Sequence, residues 1–347
     1  MVHKDVISWS AMIGGFARNN DGVEDLNQFK GMKRAGFTAS QATIASVLRA
    51  CSGLARIEVG RQIHVHVLKF DVDLILNNAL LDMYCKSGSL EDAKLVFERL
   101  VYKNVISWST MIGGFARNND GHEALSQFKS MKRLGFTADQ ATLASVLRAC
   151  TGLALLEVGK QVHVHVLKFD VDLILNSALL DMYCKSGSLE DAKLVFERIV
   201  YKNVISWNTM IRGFALNSEG LEALNQFKSM KRAGFTADQA TLTNVLRACT
   251  GLAVLEVGRQ VHVHVLKFDV DLVLNNALLD MYCKSNSLKD AKLVFERMVH
   301  KNVVSWNTMI GGFALNSDGI EALKLFKIMK RAGFTADQAT LASVLRF

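Results

Sequence analysis

The stretch Val105–Asn203 opens VISWSTMIGGFARNNDG and closes KLVFERIVYKN, and it decides the fold because the chain repeats it. Trp9, Trp108, Trp207 and Trp306 each sit in ISW or VSW, and each step is 99 residues (108 − 9, 207 − 108 and 306 − 207). The Cys-Lys-Ser strings at 85–87, 184–186 and 283–285 keep the same step. A fixed period of this kind marks stacked repeats, in which each unit buries its apolar face on its neighbours.

Within Val105–Asn203 the pattern divides into three helical hairpins. In the first, Trp108, Met111, Ile112 and Phe115 follow helical spacing, and Asn118-Asn119-Asp120-Gly121 is a turn. Ala124, Leu125, Phe128 and Met131 mark one face of a second helix, which Gly135 ends in a left-handed position. The second hairpin carries Leu143, Val146, Leu147 and Cys150, is broken by Gly152, and continues with Val158, Val162, Val166 and Leu167. The third carries Leu175, Leu179, Met182 and Tyr183 and closes at Gly187. Ser188 and Asp191 then have the spacing of a capping box. In the next unit Asn286 replaces the closing glycine, the other residue type that tolerates a left-handed backbone. The hairpins have 35, 33 and 31 residues, which sum to 99. The expectation is an all-α solenoid of helix-turn-helix repeats stacked in a right-handed superhelix over residues 1–347.

Bulk properties agree. No apolar run reaches the roughly 18 residues that would cross a membrane, and no signal or transit segment is evident. Met1-Val2-His3-Lys4-Asp5 aligns with Met298–Asn302, so the chain reads as a fragment that starts and stops mid-unit. The net charge of +8 and pI near 9.1 permit a polyanionic partner. The six cysteines form no CxxC pair and read as small packing residues.

A tetratricopeptide reading fails on motif and length: its Trp, Leu-Gly, Tyr, Ala and Pro offsets are unmet. The strings ISWSTMIGGFARN, EALSQFKSMKRLGFTAD, SVLRACTGLALLEVGKQVH and NSALLDMYCKSGSLEDAKLVFER instead resemble the pentatricopeptide repeat family, and within it the plant class that rotates P, L and S motifs. On that resemblance the P motifs are 6–40, 105–139, 204–238 and 303–337. The L motifs are 41–73, 140–172 and 239–271, with a partial one at 338–347, and the S motifs are 74–104, 173–203 and 272–302. The L motif here is two residues shorter than usual, around Lys168-Phe169-Asp170, and Ala138 stands where the family usually has Pro.

The resemblance implies single-stranded RNA binding, one base per motif. The fifth and last residues read the base and the second, an aliphatic, sandwiches it. Positions two and five share a helix face. The implied readers are Ser10 with Ser40, Asn78 with Asn104, Ser109 with Asp139, Ser177 with Asn203, Asn208 with Asp238, Asn276 with Asn302, Asn307 with Asp337 and, weakly, Thr243 with Asp271. The implied sandwiching residues are Ile7, Ile75, Ile106, Ile174, Ile205, Val273 and Val304. An ionised last-position Asp only accepts, which suits the ring N–H of uracil or guanine; Asn can donate, which suits the bare ring nitrogen of cytosine or adenine. A short Ser at position five leaves room for a purine, and Asn suits a pyrimidine. Ala45 and Ala144 offer no bond and are silent. With RNA running 5′ to 3′ along the chain, as in the family, the string is 5′-x-n-C-G-n-A-U-(G)-C-U-3′. Arg18, Lys86, Arg117, Lys185 and Lys284 recur at position 13 as phosphate candidates, and Arg212 occupies position nine, where the other P motifs have Gly.

Plain readings stand beside these. Asn, Ser and Asp near helix starts serve as caps, and Lys or Arg near a helix C-terminus answers its dipole. Yet position five changes between nearly identical units: Ser109 becomes Asn208, and Asn78 becomes Ser177 and then Asn276. His64-Val65-His66, His163-Val164-His165 and His262-Val263-His264 point to different faces, so one His per pair is expected to pack and the other to face water. No catalytic constellation, metal site or cofactor motif is present: HxE with PCxxC, GxGxxG, GxxxxGK[ST] and HExxH are all missing. The resemblance implies the recognition half of an organellar cytidine-to-uridine RNA editing factor, in plastid or mitochondrion. It also implies L motifs that contact editing factors of the MORF type, and a DYW-type deaminase supplied in cis or in trans. A protein-binding scaffold and an RNA stabiliser without editing are the alternatives.

Overall fold

The computed structural model describes residues 5–19, 21–68, 74–169, 173–268 and 271–345. The ends of the first two L motifs, and with them Asp170 of the short turn, lie outside the described residues. All regular structure among the described residues is helical, as the period requires. The chain forms two compact units, Met1–Met182 and Tyr183–Phe347.

In the first unit, the helix Val105–Arg117 starts because the Asn104 side chain accepts from the backbone N–H of Ser107 in a capping box. Trp108, Met111, Ile112 and Phe115 are buried on its core face. Trp108 meets Phe97 edge-on at 4.8 Å between ring centroids and Phe136 at 6.3 Å. Asn118 caps the C-terminus, and its Nδ2 donates to the carbonyls of Gly114 at 2.8 Å and Cys85 at 2.9 Å. That second bond ties the P motif to the S motif before it. The partner helix Gly121–Arg133 buries Ala124, Leu125 and Met131, leaves Phe128 half-buried, and ends before Gly135 at φ +84°. Helices Gln140–Leu153 and Leu156–Val166 form the L motif.

In the second unit, Val204–Leu216, Gln239–Leu252, Leu272–Lys284 and Val303–Leu315 are the successive first helices, and each packs on the next. Among the described residues, the second helices Gly220–Arg232, Leu255–Val265 and Leu288–Arg297 pack against first helices. A continuous row of first helices therefore carries whatever their exposed faces display. Asn217 and Asn316 repeat the Asn118 staple, donating to the carbonyls of Cys184 at 2.8 Å and Cys283 at 2.9 Å.

Three local expectations are corrected. Gly152 does not break its helix, which runs on to Leu153; Ala154 takes the left-handed turn at φ 53°. Ala154 pays the left-handed Cβ penalty of about 1–2 kcal/mol because the Leu155 N–H must reach the Cys150 carbonyl, at 2.9 Å, to close the helix end. Leu167 is 52% exposed, because Leu156–Val166 has ended before it. The Ser188 hydroxyl donates to Asp191 Oδ2 at 2.6 Å and makes no cap bond to backbone. Left-handed Gly187 and Asn286, at φ 74° and 56°, are as expected.

Candidate nucleic-acid interface

Among the described residues, the last-position residue of a motif caps the first helix of the following motif. Ser40, Asn104, Asp139, Asn203, Asp238, Asp271, Asn302 and Asp337 all accept from the third backbone N–H of that helix. The cap reading is therefore correct, and it fixes chemistry. A backbone N–H can only donate, so the Oδ1 of Asn104 and of Asn302 faces inward, leaving the NH₂ group turned away from the cap bond.

In five motifs the fold also links the fifth and last residues. Asn208 Nδ2 donates to Asp238 Oδ1 at 3.0 Å and Oδ2 at 3.2 Å. Asn307 and Asp337 repeat this at 2.9 Å to both oxygens. Where both the fifth and the last residue are Asn, the link runs through a third side chain. The Ser107 hydroxyl reaches Asn78 Oδ1 at 2.8 Å and Asn104 Oδ1 at 3.0 Å, and Ser305 reaches Asn276 at 2.7 Å and Asn302 at 3.0 Å. In the first motif Ser10 and Ser40 each lie 2.9 Å from the Thr43 hydroxyl.

Serine at position five behaves differently in two of its three places. The Ser177 hydroxyl turns back to the Leu173 carbonyl at 2.7 Å, and no bond joins Ser109 to Asp139, which instead accepts from the Thr142 amide and hydroxyl. Thr243 donates to the Gln239 carbonyl at 2.8 Å, so it is not joined to Asp271. The sequence reading missed the third-position hydroxyl. Its signal was present, since Ser or Thr stands third in every P motif and every L motif, whereas S motifs have Leu76, Leu175 and Leu274.

Electrostatics follow the bonds. Burial alone pushes the Asp238 carboxyl upward, but the Thr241 amide and hydroxyl and the Asn208 amide outweigh it and hold the pKa below the usual carboxylate value. For Asp337 the Thr340 backbone N–H acts most strongly in the same direction. Both are ionised acceptors at neutral pH.

Beside each polar pair lies an exposed aliphatic side chain. Ile7, Ile75, Ile106, Ile174, Ile205, Val273 and Val304 are 54–77% exposed. Each stands at the second position of its motif and is turned away from the core. Of the phosphate candidates, Arg18 and Arg117 are exposed and make no ion pair among the described residues. Lys86 and Lys284 pair with Asp82 at 2.8 Å and Asp280 at 3.0 Å, one turn earlier. Such exposed pairs are worth under about 1 kcal/mol, so a phosphate could displace them. Lys185 is exposed and Arg212 is half-buried.

The remaining motifs are structural. His64 and His262 bond through Nδ1 to Tyr84 and Tyr282 at 2.9 and 2.8 Å. Both His of each pair are half-buried, so the expectation that one faces water is corrected, and His165 Nε2 lies 3.4 Å from Lys132 Nζ. All six cysteines are buried, and burial pushes up the thiols of Cys51, Cys85, Cys150, Cys249 and Cys283, to about 11 for Cys150 and about 12 for Cys283.

Comparison with known proteins bears on the family and the fold. The family model described as the PPR repeat family matches residues 103–152, 202–251 and 301–346, and the PPR repeat model matches 7–37, 78–105, 177–204 and 276–303. A mitochondrial pentatricopeptide repeat-containing protein of Arabidopsis thaliana is 43% identical over 89% of this chain and 49% of its own length. A chloroplastic one from the same plant is 35% identical over 99% of this chain and 57% of its own length. The chain thus spans about half the length of these relatives. The crystal structure of the pentatricopeptide repeat protein PPR10 in complex with an 18-nt psaJ RNA element matches with a TM-score of 0.78 at 17% identity, covering 98% of this chain and 57% of that one. The repeat period, the helical fold and family models over most of the sequence converge: the chain belongs to the pentatricopeptide repeat family.

Proposed function

We propose that the chain binds single-stranded RNA along its row of first helices, each P or S motif reading one base. The observation that carries the proposal is the linkage of fifth and last residues into one polar unit, as in Asn208 with Asp238 at 3.0 Å, beside an exposed aliphatic such as Ile205. Asp238 and Asp337 are acceptors toward a base, whereas Asn104 and Asn302 present an NH₂ group. The former suits uracil and the latter cytosine. The exposed aliphatics supply the flat apolar contact that an unstacked base needs. Arg18 and Arg117, with the net charge of +8, supply attraction to phosphates.

On this reading the target is 5′-x-n-C-G-n-A-U-(G)-C-U-3′. The chain is the recognition part of a larger editing factor that works in a plastid or mitochondrion. Its L motifs are the surfaces for MORF-type partners, and a DYW-type deaminase acts in cis or in trans; the chain itself is not the enzyme. The likeness to PPR10, crystallised with RNA, supports the RNA-binding part of this.

The test is fluorescence anisotropy at about 150 mM salt, since affinity depends on salt. A labelled RNA with the target string is compared with one in which purines and pyrimidines are exchanged. The expected result is binding at least about tenfold tighter to the target, the scale of one or more mismatches. Equal binding would reduce the chain to a general polyanion binder. Binding of neither would leave a protein scaffold.

A further inference from the structure

We propose that the buried hydroxyl at the third position of a P or L motif sets the base preference of the motif before it, by fixing which way that motif's reading side chains face. This deepens the RNA-reading proposal and rests on it.

An asparagine amide is nearly symmetric in shape but not in chemistry. Turned over, it exchanges its acceptor for a donor. A fifth-position Asn that could turn freely would accept two kinds of base edge and discriminate poorly. All four such residues are held. Asn78, Asn208, Asn276 and Asn307 each have Oδ1 engaged by the third-position hydroxyl of the next motif: Ser107 at 2.8 Å, Thr241 at 2.6 Å, Ser305 at 2.7 Å, and Thr340.

Thr241 shows why the orientation is unique. Its oxygen accepts from the Asp238 backbone N–H at 3.2 Å, so its proton is directed to the side-chain oxygens of Asn208 and Asp238, at 2.6 and 2.8 Å. The ionised Asp238 cannot donate, so Asn208 must turn Nδ2 toward it. Every group in the triad then has one role. Asp238 Oδ2 takes only the Asn208 bond and keeps capacity for a ring N–H, and one Asn208 N–H stays open.

These hydroxyls cannot read the base themselves. Thr43, Ser107, Thr142, Ser206, Thr241, Ser305 and Thr340 are 0–1% exposed. They act as positioning residues. A buried hydroxyl without a partner is costly, so burial also holds the geometry in place.

The device has a boundary. At the junction from an L motif to an S motif the third residue is a buried leucine, such as Leu274. There the Asp271 side chain accepts from the Leu274 N–H at 2.8 Å, and Thr243 bonds to its own helix. The pair Thr243 and Asp271 is left unlocked. The weak guanine preference drawn from residue types has no such lock behind it at this junction.

The test uses the full chain and four RNAs that carry the target string and differ only at the seventh base, which Asn208 and Asp238 read. A second set varies the tenth base, read by Asn307 and Asp337. The wild type is expected to favour U over C by about tenfold at both places. Thr241→Val removes the hydroxyl at nearly constant shape. It should bring the U:C ratio to within about twofold at the seventh base while leaving the tenth unchanged, and Thr241→Ser should restore it. Ser305→Ala makes the same test at the ninth base and covers a failure of Thr241→Val to fold. A wild type that discriminates at neither base overturns the RNA-reading proposal itself. A wild type that discriminates, with a Thr241→Val chain that still favours U tenfold at the seventh base, overturns the positioning role alone. Loss at both bases in Thr241→Val would also overturn it, because the damage would then be general.

Discussion

Replacing Asp25 with alanine makes the first hairpin more stable at neutral pH, by about 3 kcal/mol. Asp25 is fully buried on the helix Gly22–Arg34, and among the described residues neither carboxylate oxygen has a hydrogen-bond partner. Burial raises its pKa to about 6 from 3.8, and the charge of Arg49 offsets only part of that. The group is ionised in the unfolded chain above about pH 4 and resists ionisation in the folded one. Its penalty is therefore fully present above about pH 6, shrinks as pH falls through 6, and vanishes below about 4. A displacement of about two pKa units corresponds to about 3 kcal/mol. The same position in the other P motifs is Ala124, Ala223 and Ala322, each 0% exposed, so the slot accepts alanine. Hydrogen exchange of amides in Gly22–Arg34 and Gln41–Gly53 should slow about a hundredfold in Asp25→Ala at pH 7 and show little difference from wild type at pH 4. Equal exchange at pH 7 would mean that the carboxylate is solvated or paired.

The second large effect concerns the seam between S and P motifs. Gly312 lies where a methyl carbon would sit 2.6 Å from Cβ of Cys283 and closer still to its Sγ. Cysteine is too short to swing aside, so the two first helices must part. Gly312→Ala is expected to cost about 1–3 kcal/mol by overpacking. Gly15 holds the same place in the first P motif, and nothing lies within 4 Å of the position its Cβ would take. Gly15→Ala should gain about 0.5–1 kcal/mol from helix propensity. Opposite signs for one substitution at equivalent positions are measurable by urea unfolding. Equal signs would refute the close packing of Gly312 on Cys283.

Much of this was legible in advance because a repeat shows each position several times. The 99-residue step placed the hairpins, and the spacing of Trp108, Met111, Ile112 and Phe115 marked a face that is buried. What failed was local and had tertiary causes. Gly152 looked like a breaker, but it is accepted inside the helix and Ala154 turns the chain. Leu167 looked like core, but its helix stops at Val166. The proposed base-reading pairs were legible only through the family resemblance, because Asn and Asp beside a turn are ordinary caps, and the structure uses them as caps. The hydroxyl of Ser107 or Thr241 was visible in sequence, but its role needed coordinates: the partners Asn78 and Asn208 lie 29 and 33 residues away. Asp25 was visible as well, as one acidic residue in a register of alanines.

The most direct test of RNA reading changes one side chain and asks whether one base preference changes with it. Asn208→Ser keeps Asp238, an acceptor that suits the ring N–H of uracil and of guanine alike, and shortens the side chain that leaves no room for a purine. In anisotropy titrations at about 150 mM salt, with RNAs that differ only at the seventh base, the wild type should favour U over G by about tenfold and Asn208→Ser should favour G over U by a similar factor. An unchanged order of bases in Asn208→Ser, with binding intact, would contradict one-base reading by the fifth and last residues.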